Sequence, residues 1–336
     1  MKPSRYLPVF VLAACAAPHQ QACPTAPLAA GYHVLAGWPV MPEGTKLGWV
    51  VSGVGVDSRG DVFVLHRGSR EWPANDKLDT TPIAEATVLV FDGRTGALRA
   101  SWGANQFAMP HGLTIDRDDH VWITDVALQQ VFELRHDGTL LRTFGERAVA
   151  GADQTHFDRP TKVAVAPDRS FYVSDGYNNS RVIEFASDGS FVREWGAKGS
   201  APGQFDTPHG IALDAHRNVY VADRGNARVQ VFDASGHFLR EWKGREYGRP
   251  FDVAVAPNGA IAIVDGGDIP DHGPDRSAVV IVRPDGSVVD RFGRYGLYDG
   301  QFHRAHDIAV GPDGAIYVGD ANGRIQKFCC AACCKD

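Results

Sequence analysis

The stretch HGIALDAHRNVYVADRGNARVQVF, residues 209–232, decides the fold. It opens on a short apolar strand, turns over Asp214 to Asn218, and returns through Val219-Tyr220-Val221-Ala222 to Asp223. A third strand follows at Val229-Gln230-Val231-Phe232. Short runs with apolar residues at every second position are strands. The unit recurs, with copies beginning at Gly53-Val54-Gly55-Val56, His111-Gly112-Leu113-Thr114, Thr161-Lys162-Val163-Ala164, His209-Gly210-Ile211-Ala212, Phe251-Asp252-Val253-Ala254 and His306-Asp307-Ile308-Ala309. Strand-rich copies about 40 to 60 residues apart are the blades of a β-propeller. Asp137-Gly138, Asp188-Gly189, Ser235-Gly236 and Asp285-Gly286 supply the hairpin turns between outer strands. The sixth copy stops at Phe328 after three strands. Tyr32 to Ala36, ahead of the first copy, is expected to supply the missing fourth and close the ring, which removes two open sheet edges. The expected fold is all-β, a six-bladed propeller over residues 31–328.

The copy pattern resembles that of the NHL-repeat propellers. The 336 residues, 44% hydrophobic and 22% charged, have the composition of an ordinary globular chain. A net charge of −6, with no basic stripe interleaved with aromatics, argues against a nucleic-acid partner. Lys2 and Arg5 flank the start of an apolar run, Tyr6 to Ala14, that is too short to span a bilayer. It ends in Leu12-Ala13-Ala14-Cys15 and reads as a lipoprotein-type signal segment over residues 1–15, with lipidation at Cys15. A plain secretory signal with an incidental cysteine is the alternative. Residues 16–30 read as a tether. The chain is therefore expected to be exported, either anchored to a membrane through lipid alone and facing the periplasm or exterior, or soluble there. No cysteine lies between Cys23 and Cys329. The body is thus expected to lack a disulfide framework, and residues 329–336 read as a cysteine-rich tail without the second ligand pair a structural metal needs.

Repeat phase places the chemistry. Aligned on the first strand of each copy, the leading residues are Ser52, His111, Thr161, His209, Phe251 and His306. The histidines fall in the second, fourth and sixth blades, about 120° apart around the ring. First strands line the channel, so three imidazoles at one height converge on the axis. Three neutral nitrogens and an open fourth position make a catalytic zinc site. A single histidine there would be a blade cap bonded to a carbonyl; three at one phase in alternate blades are not expected by accident. Other histidines, such as His120, His136 and His216, share no phase and read as surface residues.

The second strand returns to the same face and ends at Asp125, Asp175, Asp223, Asp265 or Asp320, with His66 in that place in the first copy. Because they recur, Asp125, Asp175 and Asp223 read as structural. Arg67 and Arg224 come directly afterwards, and Tyr177 follows Asp175 by two positions. Two arginines beside the histidines suit a carboxylate ligand. Asp307, with the carbonyls of Val54 and Leu113, is a candidate seat for a hard cation plugging the channel below the zinc; Asp252 shares the phase of Asp307.

Together these residues resemble the catalytic core of peptidyl-α-hydroxyglycine α-amidating lyase, from about Gly31 to Phe328. The matching segments are Ser52-Gly53-Val54, His66-Arg67-Gly68 with Trp72, Pro82-Ile83-Ala84-Glu85, Met109-Pro110-His111-Gly112-Leu113, Asp125-Val126-Ala127-Leu128, Asp175-Gly176-Tyr177-Asn178-Asn179-Ser180-Arg181, Pro208-His209, Ala222-Asp223-Arg224 and His306-Asp307-Ile308. The resemblance implies zinc on His111, His209 and His306, and structural calcium on Val54, Leu113 and Asp307. It also implies an essential tyrosine at Tyr177 and active-site arginines at Arg67 and Arg224. Two departures stand out. Asn178 occupies the place of a disulfide cysteine of the animal enzymes. Arg304 replaces a methionine usual two residues before the third histidine, which is expected to alter the substrate pocket. Because the resemblance covers the lyase core alone, the expected reaction is the second step of peptide amidation.

That reaction cleaves the N–C bond of an N-acyl- or peptidyl-α-hydroxyglycine to a primary amide and glyoxylate. Zinc is expected to polarise the substrate's hydroxyl and carboxylate oxygens, and Tyr177, as phenolate, to remove the hydroxyl proton. The expected partner is a small peptide or N-acyl-α-hydroxyglycine, and the expected working unit a monomer. The rival is a non-catalytic exported propeller that binds a ligand or acts as a scaffold. A sugar-lactone hydrolase would need a Glu/Asn/Asp calcium cluster on the axis, which this sequence does not show.

Overall fold

The computed structural model describes residues 31–267 and 276–330. The expected signal segment, Cys15 and the tether lie outside the described residues. Twenty-four strands, numbered β1 to β24 in chain order, and no helix make up the described residues. They form six four-stranded sheets, five of them built from consecutive strands. The sixth joins β22 (Ala305–Val310), β23 (Ile316–Asp320) and β24 (Arg324–Cys329) to β1 (His33–Val34). His33 stands opposite Cys329 and Val34 opposite Phe328, so the ring closes through the N-terminal strand as expected. The same pairing carries β24 one residue beyond the expected end of the propeller. Cys329 and Cys330 are fully buried and disulfide-bonded, and belong to the last blade rather than to a tail.

Strand alternation explains why the blades stack. In β15 (Val219–Asp223) Val219 and Val221 pack toward the third blade, against Ala164, Tyr172 and Val182. Tyr220 and Ala222 face the other way, onto Val253, Ile261 and Ile263 of the fifth. Side chains two apart share a face, so each sheet feeds two apolar clusters and six such clusters join neighbouring blades around the ring. Each buried Val, Ile or Phe contributes roughly 1.5–3 kcal/mol relative to exposure. The hairpin glycines Gly138, Gly189, Gly236 and Gly286 have φ of 85°, 90°, 81° and 91°, the left-handed conformation their turns require.

One irregularity recurs in every blade. The innermost strands are β2 (Val51–Val56), β6 (Pro110–Ile115), β10 (Pro160–Val165), β14 (Pro208–Leu213), β18 (Pro250–Val255) and β22. In each, the register with the second strand slips at the leading residue, between Val51 and Gly53, Pro110 and Leu113, Pro160 and Lys162, Pro208 and Gly210, Pro250 and Asp252, and Ala305 and Asp307. A bulge leaves a residue unpaired and re-aims its side chain. The leading and following residues of a strand, which alternation would send to opposite faces, therefore both reach the channel.

Candidate active site

The bulges bring His111, His209 and His306 together. All three are buried, and one nitrogen from each ring lies within 4.8 Å of the others. Ring centroids are 4.6 Å apart for His111 and His209, 5.2 Å for His111 and His306, and 5.0 Å for His209 and His306. Nδ1–H of His111 donates to the Thr161 carbonyl at 2.9 Å, and Nδ1–H of His209 to the Phe251 carbonyl at 2.7 Å. A carbonyl only accepts, so these bonds fix the tautomer and leave each Nε2 lone pair facing the channel. Nδ1 of His306 is directed at the Ser52 backbone but closes no hydrogen bond of ordinary geometry.

Electrostatics keep the three rings neutral. Burial, then His306 and Arg67, holds His111 well below its ordinary value. Burial, then Arg224 and His111, does so for His209; burial, then Arg67 and Arg224, does so for His306. Neutral imidazole is the form that binds a metal. Zinc holds histidine nitrogens at about 2.0–2.1 Å, so these nitrogens need only draw in slightly to share one ion, and the set fits zinc.

The loops into the histidine strands are clamped by the recurring aspartates. Asp125 accepts the N–H groups of Ala108 and Met109, just ahead of His111. Asp223 accepts that of Asp206, ahead of His209, and Asp320 those of His303 and Arg304, ahead of His306. In the first blade His66 does the equivalent work, its Nδ1 accepting N–H from Gly48 at 3.3 Å and Gly68 at 3.1 Å.

Tyr177, Arg67 and Arg224 meet over the histidines. The Tyr177 hydroxyl lies 3.0 Å from His111 Nε2 and 3.3 Å from His209 Nε2, both acceptors by the tautomers above. Arg224 donates to the same oxygen from Nη1 at 3.4 Å and stacks 5.0 Å from the rings of Tyr177 and Phe251. Arg67 Nε donates to the Pro110 carbonyl at 3.0 Å. Arg67 Nη2 and Arg224 Nε are buried with no hydrogen-bond partner. Buried unpaired donors are costly, and such donors suit an anionic ligand. Trp72, 5.0 Å from Tyr177, roofs the site, with the guanidinium of Arg159 5.5 Å above its ring and Asp76 bonded to both. Sequence reading gave Trp72 and Phe251 no role in the site. Phe251 shared the histidine phase, which was its signal; Trp72 stood among the matching segments without a role.

At the expected calcium seat of Val54, Leu113 and Asp307 the carboxylate already has partners. Val54 N–H donates to Asp307 Oδ1 at 2.9 Å. Asp307 Oδ2 accepts from the ammonium of Lys162 at 3.0 Å, and Lys162 also pairs with Asp252. Burial works to strip the lysine of its proton, but Asp252 and Asp307 outweigh it and hold Lys162 above its ordinary value. Burial and the Asp252 carboxylate push Asp307 well up. The positive charge a calcium ion would bring is already present. Among the departures, Asn178 donates to Asp158 at 2.9 Å, and Arg304 is held by its backbone, through Asp320 and Ala321. His120 is not a simple surface residue: it bonds Glu133 and lies with Asp116 in a second group of metal-capable side chains. There Glu133 is already paired with Arg142 and Arg169.

Comparison with known proteins completes the description. The NHL repeat family matches residues 157–185 and 205–232, and the strictosidine synthase-like N-terminal family matches residues 307–328. The chain is 38% identical over 296 residues to peptidyl-glycine alpha-amidating monooxygenase B of Xenopus laevis, covering 83% of this chain and 34% of that protein. It is 32% identical over 296 residues to peptidyl-alpha-hydroxyglycine alpha-amidating lyase 2 of Drosophila melanogaster, covering 80% of this chain and 68% of that one. It thus spans about a third of the length of the Xenopus relative. A solved gluconolactonase from Xanthomonas campestris superposes with a TM-score of 0.58 at 13% identity, covering 84% of this chain and 86% of that one, a likeness of fold alone.

Proposed function

From the premise that the chain belongs to the peptidyl-α-hydroxyglycine α-amidating lyase family, we propose that it is a zinc-dependent carbon–nitrogen lyase. Its substrate is an N-acyl- or peptidyl-α-hydroxyglycine, cleaved to a primary amide and glyoxylate. The observation that carries this reading is the convergence of His111, His209, Tyr177 and Arg224 on one point, with unpaired donors of Arg67 and Arg224 beside it.

His111, His209 and His306 would hold zinc, which would supply Lewis acidity toward the substrate's oxygens. Tyr177 Oη accepts the proton of the α-hydroxyl. The C–O bond becomes a carbonyl as the C–N bond breaks, and the electron pair passes to the amide nitrogen, which takes the proton back from Tyr177 Oη. Arg224 donates to Tyr177 Oη and holds that oxygen over the histidines. Arg67 Nη2 receives the substrate carboxylate, an interaction stronger than a neutral hydrogen bond. Trp72 shields the tyrosine from bulk water, which strengthens both charge interactions.

The test is incubation of the zinc-loaded protein with α-hydroxyhippurate. Glyoxylate and benzamide released in equal amounts support the lyase. A loaded protein that releases neither, from any α-hydroxyglycine tried, is a ligand-binding or scaffold propeller instead. Export through acylation of Cys15 belongs to the same proposal: Cys15→Ser is expected to release the protein from membranes, and a wild-type protein found soluble and unlipidated would leave only the plain secretory signal.

A further inference from the structure

The third residues of the six innermost strands form a ring directly below the histidines: Gly53, Gly112, Lys162, Gly210, Asp252 and Asp307. Three glycines, two acids and one base share a narrow cross-section. A Cβ on Gly210 would lie 2.2 Å from Asp252 Oδ1, and one on Gly112 would lie 2.3 Å from the Thr161 carbonyl, next to Lys162. Gly210 gives up space that Asp252 fills, and Gly112 lets the strand of Lys162 approach. Lys162 reaches from the third blade to Asp252 of the fifth and Asp307 of the sixth, with side-chain exposures of 7%, 1% and 5%. Val54 N–H, from the first blade, donates to Asp307 Oδ1 at 2.9 Å, and Ile308 N–H donates to Asp252 Oδ2 at 3.0 Å. Of the four carboxylate oxygens only Asp252 Oδ1 has no hydrogen-bond partner.

We propose that the ammonium of Lys162 is the permanent cation of the channel, replacing a structural divalent ion, so that the propeller closes without calcium. Calcium takes six to eight oxygen ligands at about 2.3–2.6 Å. Here three of the four acidic oxygens already accept from N–H groups, and Nζ lies at hydrogen-bond distance from both acids. The ammonium ties blades three, five and six across the axis, as a bound ion would, but cannot dissociate. Its ring also closes the channel beneath the histidine site. Below it opens a funnel of about 240 Å³, lined by Val54, Leu113, Val163, Ile211, Val253 and Ile308 with Lys162 at its head.

The test uses the full chain, stripped with EDTA and then given zinc or calcium separately. Zinc is expected to raise Tm. Millimolar calcium is expected to leave it unchanged within about 1 °C, because nothing that binds the native state has been added, and dialysed protein is expected to carry no stoichiometric calcium. Lys162→Met leaves two buried acids unpaired and is expected to lower Tm by about 10 °C, with calcium restoring part of the loss in the variant alone. Stoichiometric calcium in the wild type, a calcium-dependent rise in its Tm, or a Lys162→Met protein as stable as wild type without calcium would each overturn the proposal. Should the variant fail to accumulate, the wild-type arm decides by itself. A missing zinc response would count against the histidine site and leave the lysine proposal standing.

Discussion

Two layers of one channel, built from adjacent residues of the same strands, solve opposite problems. In the upper layer His111, His209 and His306 are buried and held well below their ordinary value, and two guanidiniums keep unpaired donors. In the lower layer, one residue along, Lys162 is paired with Asp252 and Asp307, and backbone N–H groups take up most of the remaining capacity. Buried polar groups are normally satisfied. The upper layer leaves Arg67 Nη2, Arg224 Nε and His306 Nδ1 unpaired, whereas the lower leaves only Asp252 Oδ1.

If this division is right, changes in the upper layer cost function and spare the fold. The largest effect is expected from His209→Ala. It should lose zinc, measured by elemental analysis, and lose glyoxylate release by more than about 10⁴-fold, since a metal's Lewis acidity is worth several kcal/mol of barrier. Its far-UV spectrum should stay that of wild type, because the blade contacts remain. Tyr177→Phe should keep the zinc and lose about 10²- to 10⁴-fold in kcat, the usual contribution of a positioned base. Activity surviving that change intact would keep the lyase and remove the tyrosine from the mechanism. Arg67→Ala, which takes away a charged donor, should cost about 10- to 100-fold in kcat/KM, corresponding to a charge-assisted hydrogen bond of about 1.5–3 kcal/mol.

The smallest effect sharpens the comparison from outside the site. Burial lowers the His66 pKa to about 4, and the neutral ring accepts the Gly48 and Gly68 N–H groups. An unfolded histidine titrates near 6.5. The stability this ring contributes is therefore fully present above about pH 6.5 and is lost as pH falls toward 4. Denaturant titrations should show the advantage of wild type over His66→Asn shrinking by up to about 3 kcal/mol across that window. An advantage independent of pH would mean His66 is not held neutral.

Much of this was legible in the sequence because a propeller turns phase into position. Aligning the copies put His111, His209 and His306 at one height before any coordinates, and the places following the second strands put Arg67, Tyr177 and Arg224 on the same face. The closing strand was legible because the last copy lacked one. What escaped was side-chain reach and backbone direction. Lys162 stood at the same phase as Asp252 and Asp307, so its position was readable. That its long stem crosses the channel to meet both acids depends on the recurring bulge and on the room left by Gly112 and Gly210. Val54 N–H donates to Asp307, a bond that strand phase alone does not foretell. Cys329 and Cys330 were read as tail because composition changes there, whereas pairing with His33 carries the strand through the first of them.

The claim that one layer is open to a cation and the other already filled is tested most directly by counting metals. The purified full chain, equilibrated with zinc and calcium together and weighed intact under native conditions by mass spectrometry, should carry the mass of one zinc and no calcium. A chain carrying calcium as well, or no zinc at all, would contradict it.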